Sequence, residues 1–128
     1  MAVAYLDTSF LLGIAFGEAG ARRFATTLRK FDTIVSSNLL IAEFRAAHLR
    51  EKTAPDEDLL ARLSIVLPER PLNPEIALVL EHGYLRGADC WHLAAALYIA
   101  GDPASIAFLT LDTRQARTAR TLGFRLID

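Results

Sequence analysis

The sequence predicts an α/β fold: a three-layer α/β/α sandwich with a mainly parallel central sheet. Short apolar runs alternate along the chain with helical stretches, a pattern typical of a parallel sheet covered by helices on both faces. The length of 128 residues suits a single core. We find no repeat, linker or low-complexity segment, so we expect residues 1–128 to form a single domain.

Five short runs have the apolar and β-branched composition of buried strands. Two of them, at 2–6 and 105–111, are each followed directly by an aspartate. A strand within 64–72 is expected near the sheet edge, because this run contains two prolines that cannot donate to a ladder. The other two strands are predicted at 33–35 and 124–127.

Helical stretches separate these strands. Residues 18–30 carry apolar side chains on one face, and 39–52 follow three polar cap candidates at 36–38. The stretch 113–122 is closed by Gly123, a residue suited to the left-handed position after a helix. Further helices are predicted over 56–63, from 73 to about 83, and over 89–100.

Composition argues against several classes of protein. No apolar run approaches the roughly 20 residues that a membrane span needs, and no basic-then-apolar signal peptide opens the chain. The single cysteine, Cys90, cannot form an internal disulfide. We therefore expect a cytoplasmic protein with no membrane partner. The net charge of −1 means that any nucleic-acid contact would depend on local basic groups.

Four acidic residues are the candidates for a functional site. Asp7 and Asp112 follow strands whose carboxyl ends meet at the same edge of a parallel sheet. Asp89 lies at another predicted helix start. Glu43 lies one turn into a helix among apolar neighbours, where an acid needs a partner. We expect one edge of the sheet to collect all four.

Each acid also has a structural alternative. Aspartate is a common helix N-cap, so the three aspartates could serve only in that way. Glu43 could lie at the surface or pair with Arg45 or Arg50. His92 lies three residues after Asp89 and faces roughly the same side of the helix. For this histidine we favour a hydrogen-bonding core residue over a metal ligand.

Acids that meet at one edge need positive charge. Two carboxylates about 5 Å apart repel by roughly 3 kcal/mol at an effective dielectric constant near 20, so such groups take up protons or bind cations. An oxygen-only site suits Mg²⁺ or Mn²⁺. These ions typically act on phosphate esters by activating water and neutralising charge on the scissile group.

Four motifs carry a family resemblance: YLDTS at 5–9, AEF at 42–44, RGADCWHLAAA at 86–96 and LTLD at 109–112, the last followed by a helix. Their order and spacing run through essentially the whole chain. In these motifs the sequence resembles the PIN-domain family, and most of all the small VapC-type ribonuclease toxins of type II toxin–antitoxin pairs.

This resemblance implies a PIN-like fold and a Mg²⁺- or Mn²⁺-dependent endoribonuclease. It makes four residues the catalytic acids: Asp7, Glu43, Asp89 and Asp112. We expect the three aspartates to hold the first metal, and Glu43 to serve a second metal or orient water. The secondary members that the resemblance implies are hydroxyls: Thr8 or Ser9, and Thr110.

One departure from the family pattern lies after the fourth acid. Many relatives carry a further polar or acidic residue there, whereas residues 113–115 of this chain are Thr-Arg-Gln, which leaves the second metal position open. Arg114, and with it Arg117, is a candidate for phosphate contacts. The alternative for both arginines is a solvated helix face.

The resemblance further implies three partners: an RNA substrate, a cognate antitoxin that places a basic side chain in the acidic pocket, and a second copy of the chain in a homodimer. Two other functions are alternatives for an acidic pocket of this kind. A phosphoacceptor signalling domain would need a late lysine, but no lysine follows Lys52. A non-catalytic binding module would have lost the acids, and all four are present.

Overall fold

The computed structural model describes residues 2–127 and shows seven α-helices and four strands in them. None of these helices combines the length and apolarity needed to cross a bilayer. The elements in order are β1 Val3–Leu6, α1 Thr8–Ala15, α2 Ala21–Leu28, β2 Thr33–Ser37, α3 Asn38–Glu51, α4 Glu57–Ala61, β3 Leu63–Val66, α5 Asn73–Leu80, α6 Gly87–Ala100, a 3₁₀ turn Pro103–Ser105, β4 Ala107–Leu109 and α7 Thr113–Leu122.

The sheet has the strand order β3-β2-β1-β4, and every pair is parallel. Tyr5 of the central strand β1 lies opposite Val35 of β2 on one side and Phe108 of β4 on the other. The strand expected near an edge, β3, is indeed an edge strand. The predicted α/β class with a parallel sheet is therefore confirmed.

Helices cover both faces of this sheet, as the alternation of side chains along β1 requires. Tyr5 faces a core that it shares with residues of α5, α6 and α7. Ala4 and Leu6 face the opposite core, built with residues of α1 to α4. Two cores on one sheet make the three-layer sandwich that the sequence predicts. Strand β1 is buried on both faces, and its carboxyl end lies between those of β2 and β4.

The last part of the chain differs from the prediction. The strand expected at 105–111 is shorter, because Pro103–Ser105 forms a 3₁₀ turn capped by the Asp102 side chain, and β4 ends at Leu109. The strand expected at 124–127 is wrong: this segment makes only one parallel bridge, between Ala107 and Arg125. A single bridge holds the segment beside β4 without extending the sheet.

Three helix starts also differ from expectation. Helix α2 begins only at Ala21, because Gly17 and Gly20 adopt positive φ angles and turn the chain before it. Helix α3 begins at Asn38, and the Ser37 side chain makes no capping bond. Helix α6 begins at Gly87 with Arg86 at the N-cap position. Asp89 therefore lies inside the first turn of α6, and the alternative that it caps this helix is wrong.

Candidate active site

A cavity of about 580 Å³ lies at the carboxyl end of the sheet, and all four predicted acids line it. They come from four separate parts of the chain: the β1–α1 junction, helix α3, helix α6 and the residue before α7. The fold thus brings together acids that are far apart in sequence. The remaining lining residues are Thr8, Ser9, Leu12, Ala46, Ala47, Arg50, Arg86 and His92.

Asp7 is the most enclosed of the four acids, with 3% of its surface exposed. Its Oδ1 accepts the backbone N–H of Phe10 at 3.1 Å and the Ser9 hydroxyl at 2.8 Å. Its Oδ2 accepts the Thr110 hydroxyl at 2.6 Å. Burial raises the pKa of Asp7, and the hydrogen bonds from Thr110 and Ser9 oppose that shift. Asp7 therefore caps the N-terminus of α1 and also lines the cavity.

The predicted hydroxyl residues hold Asp7 against the loop after β4. Ser9 donates to Asp7 and accepts the backbone N–H of Leu111 at 3.0 Å. Thr110 accepts the backbone N–H of Asp112 at 3.0 Å while it donates to Asp7. The first and the last acid of the site are thereby connected through one threonine side chain.

Glu43 is held by one of its two carboxylate oxygens. Oε1 accepts the Thr8 hydroxyl at 2.6 Å and lies 3.1 Å from His92 Nε2. Within residues 2–127, Oε2 makes no hydrogen bond. The hydrogen bond to His92 lowers the pKa of Glu43 despite its partial burial. Glu43 is therefore an ionised group with one oxygen available to the cavity.

The ion pairs considered for Glu43 do not form. Arg45 makes two hydrogen bonds to Glu57, at 2.8 and 2.9 Å. Arg50 is paired with Glu51 at 3.0 Å. Both ion pairs expected as alternatives for Glu43 are therefore wrong, since its partners are Thr8 and His92.

His92 is buried beneath the cavity, with 1% of its surface exposed. Its Nδ1 lies 2.8 Å from the Tyr5 hydroxyl. Burial raises the pKa of Tyr5, so this phenol stays protonated and its O–H donates a hydrogen bond to Nδ1. The network therefore assigns the Nε2–H tautomer, which donates to Glu43. The structure agrees with a hydrogen-bonding core histidine, whose two nitrogens are both engaged by the protein.

Asp89 and Asp112 each keep one oxygen without a hydrogen bond to any residue in 2–127. Asp89 Oδ2 pairs with the exposed Arg86 guanidinium at 3.2 Å. Asp112 caps α7, because its Oδ1 accepts the backbone N–H of Gln115 at 2.8 Å. The nearby carboxylates of Asp89 and Asp112 raise the pKa of Arg86. The unbonded oxygens, Asp89 Oδ1 and Asp112 Oδ2, are the groups available to a ligand.

Arg114 and Arg117 do not line the acidic cavity. Arg114 lines a neighbouring cavity of about 500 Å³ that shares Arg86, Asp89 and Asp112 with it. Arg117 lines a third cavity, with Thr110 and Asp112. The arginines that line the acidic cavity are instead Arg50 and Arg86, neither of which the sequence analysis proposed as a phosphate contact. Arg86 could have been noticed, because it opens the RGAD motif.

The donor set of the cavity fits a hydrated divalent cation. When all four acids are ionised, they exceed the two arginines by two negative charges. Across residues 2–127, no three acidic, histidine or cysteine side chains are grouped tightly enough to enclose a metal. Mg²⁺ typically keeps several waters and uses one or two carboxylates. The free carboxylate oxygens suit that mode of binding.

Comparison with known proteins agrees with this architecture. The fold is similar to that of a chain in the crystal structure of VapBC2 from Rickettsia felis bound to a DNA fragment from their promoter, with a TM-score of 0.63 over 98% of this chain and 97% of that chain. The two sequences are 16% identical, so this likeness concerns the fold. Among curated proteins, no sequence matches significantly. The family model of the PIN domain matches residues 4–121, nearly the full length, and the chain belongs to the PIN domain family.

Proposed function

We propose that this chain is a Mg²⁺- or Mn²⁺-dependent endoribonuclease that hydrolyses RNA phosphodiester bonds, and that it is a VapC-type toxin. One observation carries the proposal: four acids from four separate elements line one cavity at the carboxyl end of a parallel sheet. Such a concentration of carboxylates is costly unless a cation or a positively charged partner is present. Membership of the PIN domain family supports the same conclusion.

The three aspartates are the groups proposed to hold the cation. Asp89 and Asp112 would use their free oxygens, and Asp7 would contribute directly or through water. Ser9 and Thr110 orient the Asp7 carboxylate by the hydrogen bonds they donate to it. A bound divalent cation would neutralise charge on the scissile phosphate and lower the pKa of a bound water.

Glu43 is proposed to orient the attacking water or to hold a second cation. Its Oε1 is fixed by Thr8 and His92, so its Oε2 keeps a defined position at the cavity. Its lowered pKa keeps the carboxylate ionised at neutral pH, as a group that accepts a hydrogen bond from water or binds a cation must be. Orientation by two hydrogen bonds is the kind of support that a group positioning water or a cation needs.

RNA would be held by arginines close to the acids. Arg50 and Arg86 lie within the cavity, and Arg114 lines the neighbouring one. Arginine suits phosphate because its planar guanidinium donates two parallel hydrogen bonds. This local set would supply the positive charge that the whole chain, at net −1, lacks.

We also propose a cognate antitoxin and a homodimer. The similar fold belongs to a structure described as VapBC2 bound to promoter DNA. The excess negative charge of the cavity favours a basic side chain from a partner, which would offset the same repulsion that a cation offsets.

For the homodimer, exposed apolar side chains such as Leu67 and Tyr84 are available for contact. Size-exclusion chromatography with light scattering distinguishes a dimer from a monomer.

The activity is tested by incubating RNA with the purified chain and Mg²⁺ or Mn²⁺. We expect cleavage by the wild type, at least a 100-fold loss in Asp7→Asn, and complete loss with EDTA. Asp56→Asn is the matched control, because Asp56 also caps a helix but lies outside the acidic cavity. Equal cleavage by wild type and Asp7→Asn, or cleavage insensitive to EDTA, would contradict the proposal.

A further inference from the structure

Gln115 is an unusual residue for its position on helix α7. It is completely buried, with 0% of its surface exposed, on the face that also buries Thr118 and Ala119. An apolar side chain is typical of the buried face of a helix. A buried amide is tolerated when its polar atoms have partners. The partners of Gln115 therefore indicate what it does.

These partners belong to the acid-bearing segments of the cavity. The Gln115 amide Nε2 donates to the backbone carbonyl of Asp89 at 3.0 Å. Its Oε1 lies 3.3 Å from the Thr110 hydroxyl, which donates to Asp7 at 2.6 Å. Its backbone N–H donates to Asp112 Oδ1 at 2.8 Å. One residue thus makes hydrogen bonds to both Asp89 and Asp112.

The bond to Asp89 is a distinctive connection between two helices. Among residues 2–127, no other side-chain hydrogen bond joins α6 to α7. Asp89 lies within α6, where helical geometry already gives its carbonyl a backbone partner. The amide is therefore not needed to satisfy that carbonyl. Its bond ties the first turn of α6, which carries Asp89, to the first turn of α7, which follows Asp112, and so spans the separation between these two acids.

That separation matters for the cation of the proposed function. Mg²⁺ demands near-ideal octahedral geometry with short oxygen distances, so its carboxylates must be held at a defined spacing. Residues that orient metal ligands without touching the metal commonly contribute about 10- to 100-fold to affinity. Gln115 contacts no free carboxylate oxygen, so it acts through the residues that carry them.

We propose that Gln115 is a positioning residue that sets the spacing of Asp89 and Asp112 for divalent cation binding. This inference rests on the proposed function of the cavity. It assigns a role to the amide of Gln115, which joins α6 to α7 beside the acidic cavity.

The test is Mg²⁺ titration by isothermal calorimetry on the full chain. Gln115→Met keeps the side-chain volume but removes the amide, and we expect Mg²⁺ affinity to fall at least 10-fold. Gln115→Asn keeps an amide that is too short to reach Asp89, and we expect a similar loss. Thr118→Val is the matched control, since Thr118 is buried on the same helix and bonds only to the backbone of Arg114. We expect it to bind Mg²⁺ within about 2-fold of wild type.

Circular dichroism of each variant establishes that it is folded before the titration. A folded Gln115→Met or Gln115→Asn protein with wild-type Mg²⁺ affinity would overturn the positioning role, while RNA cleavage by the wild type would leave the proposed function standing. Equal loss in Thr118→Val would also overturn it, because the effect would then be general to α7. A wild type that neither binds Mg²⁺ nor cleaves RNA would reject the proposed function itself.

Discussion

Asp7 combines two roles: it caps a helix, which stabilises the fold, and it places a buried charge at the acidic cavity, which lowers the stability of the fold. Its carboxylate caps α1 and is almost completely enclosed. Asparagine caps helices as well as aspartate does, and it carries no charge. The side chain can therefore keep the cap and lose the cost of burying a charged group without a counter-ion.

We expect Asp7→Asn to be more stable than the wild type by about 1 kcal/mol at pH 7 in the absence of divalent cations. The reason is that burial raises the pKa of Asp7, which means that folding disfavours its ionised form. Urea unfolding of both proteins in EDTA measures the difference. A less stable variant would mean that the hydrogen bonds from Thr110 and Ser9 outweigh the cost of burial.

At the level of elements, the ends of the helices decide where the acids lie. Helix α7 begins at the Asp112 cap and ends at Gly123, whose φ of 104° is in the left-handed region. Glycine adopts this region without the Cβ clash that other residues meet. The turn at Gly123 returns the chain to lie beside β4, where Phe124 is buried.

We expect Gly123→Ala to lower the free energy of unfolding by about 1–2 kcal/mol. Gly87→Ala is the matched control: Gly87 lies in the first turn of α6, has no positive φ, and an added Cβ there meets nothing within 4 Å. For this control we expect unchanged or slightly higher stability, by up to about 1 kcal/mol. Thermal unfolding of the two variants gives the comparison, and equal losses would contradict it.

For the whole molecule, two carboxyl groups of the cavity shape the pH dependence of stability in opposite directions. Because the pKa of Glu43 is lowered in the folded state, this group stabilises the folded protein when the pH is above 4.5, its usual pKa. The contribution is lost as the pH falls below 4.5. The raised pKa of Asp7 has the reverse effect: the folded state loses stability as the pH rises above 3.8.

Glu43→Gln should therefore be less stable than the wild type at pH 6, and the difference should shrink as the pH falls from 5 to 3.5. Because Glu43 is partly exposed, we expect the difference at pH 6 to be below about 1 kcal/mol. The stability that Asp7→Asn gains over the wild type should shrink as the pH falls towards 3.8. Urea unfolding across pH 3.5–7 measures both trends, and parallel stability curves for wild type and variants would contradict them.

The sequence was sufficient to predict the fold class and the meeting of the four acids. Strand ends and motif positions are local properties, and a parallel sheet brings its carboxyl ends to one edge. The hydrogen bonds from Tyr5 through His92 to Glu43, and from Gln115 to Asp89, could not be predicted. They depend on how far apart packed helices and strands lie, a distance that no local pattern contains. The single bridge at Arg125 was mistaken for a strand because apolar composition alone does not determine pairing.

The position of β1 has a consequence for the order of synthesis. Strand β1 lies between β2 and β4 in the sheet, and β4 follows β2 and β3 in chain order. Asp7 is therefore synthesised about 100 residues before Thr110 and Asp112, so its bond to Thr110 forms only after β4 has been translated. Until then the acidic cavity lacks one of its walls. Whatever chemistry the cavity performs begins only after β4 has packed beside β1.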